Sequence, residues 1–343
     1  MKINGQGLPA VDVHTHLAPK FSRDYLPDSG FKVGERGQAV INGDEVGPSD
    51  LYQPEELLKY LDEQNLDQAL VSVPPPFFRQ GMSSVYQAAW VTAVNEGIFA
   101  ACAVSERLKP LLYLPLDAPA LAIEMLRIFK VRQDVSGWTG AAGGGSIPLD
   151  DAAFLELWQM LSADGRPLVL HPGSSLDGRL QAHYLHNLLG NPIETGVAVA
   201  QLIFGGVLED HPKLKILLVH CGGVVPSVAG RWQRGIDTAR PGVKRQLSPV
   251  METLKRVYVD CLTHDSANVD LARHVFGDSQ LLLGSDWPFP MGLEDPRLST
   301  AHLDGHLQDA IARNNPHMLA RGEQTSSWDQ GGLVTSKIIN TPN

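Results

Sequence analysis

Ala10-Val11-Asp12-Val13-His14-Thr15-His16 reads as a buried strand that carries two imidazoles out at its C-terminal end. Side chains along a strand repeat with period two, so His14 and His16 share one side, and Val11 and Val13 suit a covered strand. A His-x-His pair also occurs on solvated surfaces, so its meaning depends on what lies downstream. Seven further apolar runs follow, at 69–73, 111–114, 135–139, 167–171, 215–220, 257–262 and 280–285. Between and after them lie amphipathic stretches that read as helices, at 54–64, 85–107, 118–133, 151–163, 194–209, 226–234 and 267–276. Pro54 followed by Glu55 and Glu56 makes a good first helical turn, because proline there loses no hydrogen bond and the acids meet the helix dipole. Strand–helix alternation of this kind implies a parallel sheet covered by helices. Eight units over this length fit an α/β fold of the TIM type, a distorted (β/α)8 barrel.

Two segments break the rhythm. Residues 17–52 are rich in Gly, Pro, Asp and Lys, with a hairpin signal at 39–43, and read as a small insertion over the barrel mouth. Residues 322–343 are polar and read as a C-terminal tail, which leaves 1–321 as a single barrel domain. At 343 residues and 43% hydrophobic, the chain has enough apolar material for one large core. A net charge of −10 without a basic cluster argues against nucleic acid or an anionic membrane as partner. Cys102, Cys221 and Cys261 have no C-x-x-C spacing and read as reduced, buried thiols, and no signal segment or spanning stretch is apparent. A cytoplasmic location is the expectation.

The remaining metal-capable residues close predicted strands. His171 ends Arg166-Pro167-Leu168-Val169-Leu170, His220 ends Lys215-Ile216-Leu217-Leu218-Val219, and Asp286 ends Leu281-Leu282-Leu283-Gly284-Ser285. The C-terminal strand ends of a barrel converge on one mouth, so these residues and the His14–His16 pair are expected to meet there. Nitrogen and carboxylate ligands suit Zn²⁺ first, with Mn²⁺ as the other candidate. His14, His16, His171 and Asp286 as ligands leave room for a water, which the metal would acidify and orient. His220 is then placed as the acid/base acting on the metal-bound water. Asp260, after the seventh strand, reads either as a brace for a ligand histidine or as a participant in the chemistry. His264 lies in the following loop, where it is expected to face substrate. His183 and His186, Trp287 and Phe289, and Cys221 are weaker candidates for the same cavity.

These residues resemble the amidohydrolase superfamily (amidohydrolase family 2), in the branch of metal-dependent decarboxylases that includes α-amino-β-carboxymuconate-ε-semialdehyde decarboxylase. The resemblance covers nearly the whole chain and is strongest in 194–231 (ETGVAVAQLIFGGVLEDHPKLKILLVHCGGVVPSVAGR) and in 258–292, with Gly284-Ser285-Asp286-Trp287-Pro288-Phe289-Pro290 as its most specific run. It implies one Zn²⁺ per subunit on His14, His16, His171 and Asp286, with His220 assisting. It also implies that Arg231 reaches the neighbouring subunit to hold a substrate carboxylate, hence a homodimer. Dinuclear relatives carry a lysine at the end of the fourth strand, and Val135-Ser136-Gly137-Trp138-Thr139-Gly140-Ala141 has none, which fits a single metal. The semialdehyde decarboxylases have an arginine before a Trp-Asp-Pro segment, whereas this chain has Leu51-Tyr52-Gln53-Pro54. Their His-Pro-Trp is here His171-Pro172-Gly173, so the metal chemistry carries over and that particular dicarboxylate substrate does not. The expected activity is oxygen-independent decarboxylation of an unsaturated or aromatic carboxylic acid. Its alternative is hydrolysis of a lactone, amide or imine in the same site.

Overall fold

The computed structural model describes residues 7–21, 30–35, 37–243 and 247–320. The tail expected at 322–343, and parts of the 17–52 insertion, lie outside these. Eight parallel strands follow one another around a barrel in chain order: β1 (Val11–His16), β5 (Gln68–Ser72), β6 (Leu108–Tyr113), β7 (Gly137–Ala142), β8 (Leu168–Pro172), β9 (Ile216–Leu218), β10 (Tyr258–Asp260) and β11 (Leu281–Leu282). Three backbone hydrogen bonds near β1 close the ring: Val13 N to Leu283 O at 2.9 Å, Asp286 N to His14 O at 2.8 Å, and His16 N to Trp287 O at 2.9 Å. The numbering gap is filled by a separate antiparallel sheet of β2 (Phe31–Val33), β3 (Ala39–Ile41) and β4 (Asp44–Glu45). Its tight turn is Asn42-Gly43, both at positive φ, the backbone that a two-residue hairpin requires.

Inside the barrel Val11, Val13, Leu70, Leu111, Val169, Leu217, Val219 and Leu282 pack together, and Leu319 of α11 (Asn315–Ala320) joins them. A larger apolar cluster fills the layer between the strands and helices such as α2 (Ser84–Cys102) and α3 (Pro119–Phe129). Simple alternation from Val11 and Val13 would next turn Thr15 inward. Instead the β1–β5 register shifts between Asp12 and Thr15, and Thr15 Oγ1 bonds to the Leu70 carbonyl. This slip of the bulge kind lets an inward-facing valine pair be followed by two inward-facing imidazoles.

Several boundaries differ from the sequence reading. The strand expected at 280–285 pairs only over Leu281–Leu282, because Leu283–Asp286 turns across to β1. His220 leaves β9 and sits in a left-handed turn, φ +54°. The helix expected at 194–209 is two pieces, α5 (Asn191–Phe204) and α6 (Val207–Asp210), separated where Gly206 adopts φ +80°. The helix expected at 85–107 stops at Cys102.

Candidate metal centre

The ends of β1, β8 and β9 and the turn after β11 bring His14, His16, His171, His220 and Asp286 to one point. The ring centroids of His14 lie 5.2 Å from His16, 5.1 Å from His171 and 5.1 Å from His220. Donor atoms of His14, His171, His220 and Asp286 all fall within 4.8 Å of one another. That is close to the width of one ion's shell, about 4.2 Å across for donors ~2.1 Å from the ion. His16 stands beside this group, with Nε2 3.0 Å from Asp286 Oδ1. His14 Nε2 is 3.3 Å from the same oxygen.

Hydrogen bonding fixes how each ring is presented. His14 Nδ1 donates to Asp260 Oδ2 at 2.7 Å, His16 Nδ1 meets Ser72 Oγ at 3.1 Å, and His171 Nδ1 donates to the Pro172 carbonyl at 2.9 Å. All three rings therefore turn Nε2 toward the common point. Those three Nε2 atoms and Asp286 Oδ1 are buried without a hydrogen-bond partner. Leaving one buried polar atom unpaired is costly, and four converging on a single spot imply a ligand that satisfies them together. Neutral imidazoles braced at the far nitrogen plus a carboxylate make the donor set of a divalent transition metal. The residues fit such an ion.

Electrostatics favours neutral His16 and His171 and an anionic Asp286. Burial opposes charge on His171, and the neighbouring imidazoles add to it, so its pKa lies well below the usual value. His16 is lowered as well, mainly by burial. Burial also opposes charge on His14, but Asp286, Asp260 and Asp12 outweigh it and raise its pKa. Asp286 is buried, yet His14, His16 and His220 hold its carboxyl well below the ordinary range, so it remains an anion. Asp12 accepts from the backbone N–H of His14 and Ser285 and from the Tyr60 hydroxyl.

His220 differs from the other three. Its Nε2 lies 3.6 Å from Asp286 Oδ2, its buried Nδ1 has no partner, and its side chain is 23% exposed where Asp286 is 8%. That exposure opens onto a cavity of about 1130 Å³, whose walls include His171, Asp286, Phe289, Leu262 and His264. His264 and His186 both reach this wall. Phe289 packs edge-on against His16 and lines the cavity, whereas Trp287 turns away onto Tyr60. Cys221 lines it too, but burial pushes its thiol far up, which removes thiolate chemistry. Ser72, the partner of His16, was not singled out in the sequence. The available signal was its place at the end of the strand beside β1.

Arg231 lies on α7 (Val225–Asp237), exposed, and does not line the cavity of its own chain. The described residues of 17–52 do not line it either. Ile41 to Gly47 instead borders a second cavity of about 520 Å³, shared with Pro75, Pro76 and Ser174.

The family described as amidohydrolase matches residues 11–319. A 2-amino-3-carboxymuconate-6-semialdehyde decarboxylase of Dictyostelium discoideum is 26% identical over 299 residues, covering 82% of this chain and 82% of the relative. A gamma-resorcylate decarboxylase of Rhodococcus jostii is 27% identical over 258 residues, 68% of this chain and 76% of the relative. Among solved structures, a dihydroxybenzoic acid decarboxylase from Polaromonas, holding manganese and 2-nitroresorcinol, superposes with a TM-score of 0.73. It is 18% identical, and the match covers 92% of this chain and 98% of that one, a likeness of fold. Among the described residues, no helix is long and apolar enough to cross a membrane.

Proposed function

The chain belongs to the amidohydrolase family, and from that premise we propose that it is a metal-dependent, oxygen-independent decarboxylase of an unsaturated or aromatic carboxylic acid. The observation that carries the proposal is the convergence of orphaned, buried donor atoms at the floor of a large cavity. The relatives named as decarboxylases of a carboxymuconate semialdehyde and of gamma-resorcylate support the reaction type.

His14, His16, His171 and Asp286 would hold one divalent metal, with Zn²⁺ the first choice on donor chemistry and Mn²⁺ the second. When bound, that ion supplies Lewis-acid polarisation of substrate oxygens and acidifies water. Loss of CO₂ breaks a carbon–carbon bond and leaves its electron pair on carbon, so a proton must reach that carbon. His220 is the group placed to move it. Its ring opens to the cavity, and Nε2 lies 3.6 Å from the Asp286 carboxylate. Phe289 and Leu262 cover apolar parts of the cavity and suit an aromatic or alkenyl skeleton, while His264 offers a hydrogen bond to a substituent.

Arg231 is assigned to a substrate carboxylate in the neighbouring subunit of a homodimer. Its exposure, and the lack of any hydrogen bond or ion pair to its own chain among the described residues, leave it available for that role. The insertion 17–52 is assigned as a cap over the mouth, a reading supported by Ile41 and Val46 sharing a cavity wall with Ser174. The test is a panel of hydroxybenzoates, carboxymuconate-like acids and lactones given to zinc- or manganese-loaded protein, with CO₂ release and product mass as readouts. CO₂ release that His220→Ala abolishes supports the proposal. Water addition without carbon loss assigns the site to hydrolysis instead.

A further inference from the structure

We infer that Asp260 is the positioning residue that joins the metal-holding half of the centre to its proton-moving half. Asp260 closes β10, is fully buried, and does not line the cavity, so it acts through other groups. Its two oxygens serve different partners. Oδ2 accepts from His14 Nδ1 at 2.7 Å, which leaves His14 Nε2 bare toward the centre. Oδ1 accepts from the backbone N–H of Cys221 at 2.8 Å and of Leu262 at 3.1 Å.

The Cys221 N–H belongs to an unusual stretch of backbone. His220 and Cys221 (both φ +54°), Gly222 (φ +74°) and Gly223 (φ +59°) lie in succession at positive φ. The first two are not glycine, and for them this conformation carries a steric penalty. The turn is what swings His220 out of β9 to face Asp286. Its own backbone bonds, Gly222 N to Val219 O and Gly223 N to His220 O, do not tie it to the rest of the barrel. The Asp260 carboxylate does, through the Cys221 N–H, beside a weaker Cys221 Sγ contact to the Asn268 carbonyl at 3.7 Å. One side chain thus fixes which nitrogen of His14 carries the proton and holds the strained turn that aims His220.

This inference rests on the roles proposed above for His14 and His220. Its test is Asp260→Asn, which keeps size and shape but offers one acceptor oxygen where the carboxylate has two. If the amide oxygen serves Cys221 and Leu262, an NH₂ faces His14 Nδ1 and drives the ring proton to Nε2. If the amide is reversed, His14 is kept and the turn loses its anchor. The full chain is titrated with Mn²⁺, free ion being read by electron paramagnetic resonance, and amide exchange is followed at Cys221. The expected result is a 10- to 100-fold loss of Mn²⁺ affinity, the range for outer-shell partners of metal ligands, or a large gain in Cys221 exchange. At saturating Mn²⁺, kcat falls at least tenfold while KM stays within twofold, because Asp260 does not touch substrate.

A variant that melts earlier but binds Mn²⁺ as tightly as wild type, with Cys221 equally protected, overturns the inference and makes Asp260 merely structural. Should wild type release no CO₂ from any acid, the affinity and exchange readings still decide the matter for Asp260. Failure of the decarboxylase reading is then separate from failure of this one.

Discussion

Gly284→Ala tests how tightly the centre is built. Gly284 sits between β10 and β1, and a Cβ added there would lie 2.8 Å from Asp260 Cβ, 3.0 Å from His14 Cβ and 3.1 Å from Asp260 Oδ2. Carbon atoms in contact prefer ~3.5–4.0 Å, so the neighbours would have to give by roughly 0.7 Å. Neither can do so freely. His14 and Asp260 are buried, and every Asp260 oxygen is already bonded. Moving Asp260 away by that amount stretches its 2.7 Å bond to His14 past the usual limit of ~3.2 Å. Overpacking costs about 1–3 kcal/mol, and weakening a hydrogen bond to a charged group adds about 1.5–3 kcal/mol. About 2.5–6 kcal/mol in total is expected, seen by calorimetry as a fall in Tm of roughly 3–8 °C for a chain of this length. Mn²⁺ affinity should drop about tenfold alongside it. Gly230→Ala is the control, since a Cβ there meets nothing within 4 Å and α7 favours alanine. The reasoning is refuted if Gly284→Ala melts and binds Mn²⁺ as Gly230→Ala does.

Other outcomes follow from the same geometry. His171→Ala should lose most bound metal, read by elemental analysis after dialysis, whereas Arg231→Ala should keep its metal and raise KM about tenfold by removing a charge-assisted contact. Asp164→Ala should cost about 3–5 kcal/mol in urea unfolding, because it strands the buried Arg166 guanidinium and the Trp138 Nε1–H that Asp164 now accepts. Tyr52→Phe leaves the Ala39 N–H without its acceptor and should cost about 1–3 kcal/mol. Burial pushes the Tyr52 pKa up to about 12, while an unfolded phenol ionises near ~10. Between those values the unfolded chain sheds the proton first, so wild-type stability should fall as pH rises and the gap to Tyr52→Phe should narrow. A gap that stays constant from pH 9 to pH 12 would contradict this.

Much of the barrel was legible because strand-length apolar runs alternate with helical periods in a strict order, and each residue of the centre stands at or next to a strand end. The Asn42-Gly43 hairpin was also readable, as turn chemistry is local. What escaped the sequence depends on contacts between distant segments. Asp260 could be read two ways because its partner His14 is 246 residues away. The early end of β11 comes from a crossing to β1 that no local propensity encodes. The slip in β1 that turns both histidines inward has no residue signature of its own. At Gly222-Gly223 positive φ is natural for glycine, but nothing local marks that His220 and Cys221 share it. Arg231 rests on resemblance, since a residue serving another subunit leaves no trace in its own chain's packing.

The central claim is that this centre releases CO₂ from an acid and that His220 moves the proton that replaces it. Metal-loaded protein given a hydroxybenzoate or carboxymuconate-like acid with ¹³C in the reacting carboxyl, in D₂O, tests this most directly by mass spectrometry. The account predicts ¹³CO₂ and a product with one deuterium at the former carboxyl carbon, both lost in a His220→Ala protein that still holds its metal. A product that retains the ¹³C label, or CO₂ release undiminished without His220, would contradict it.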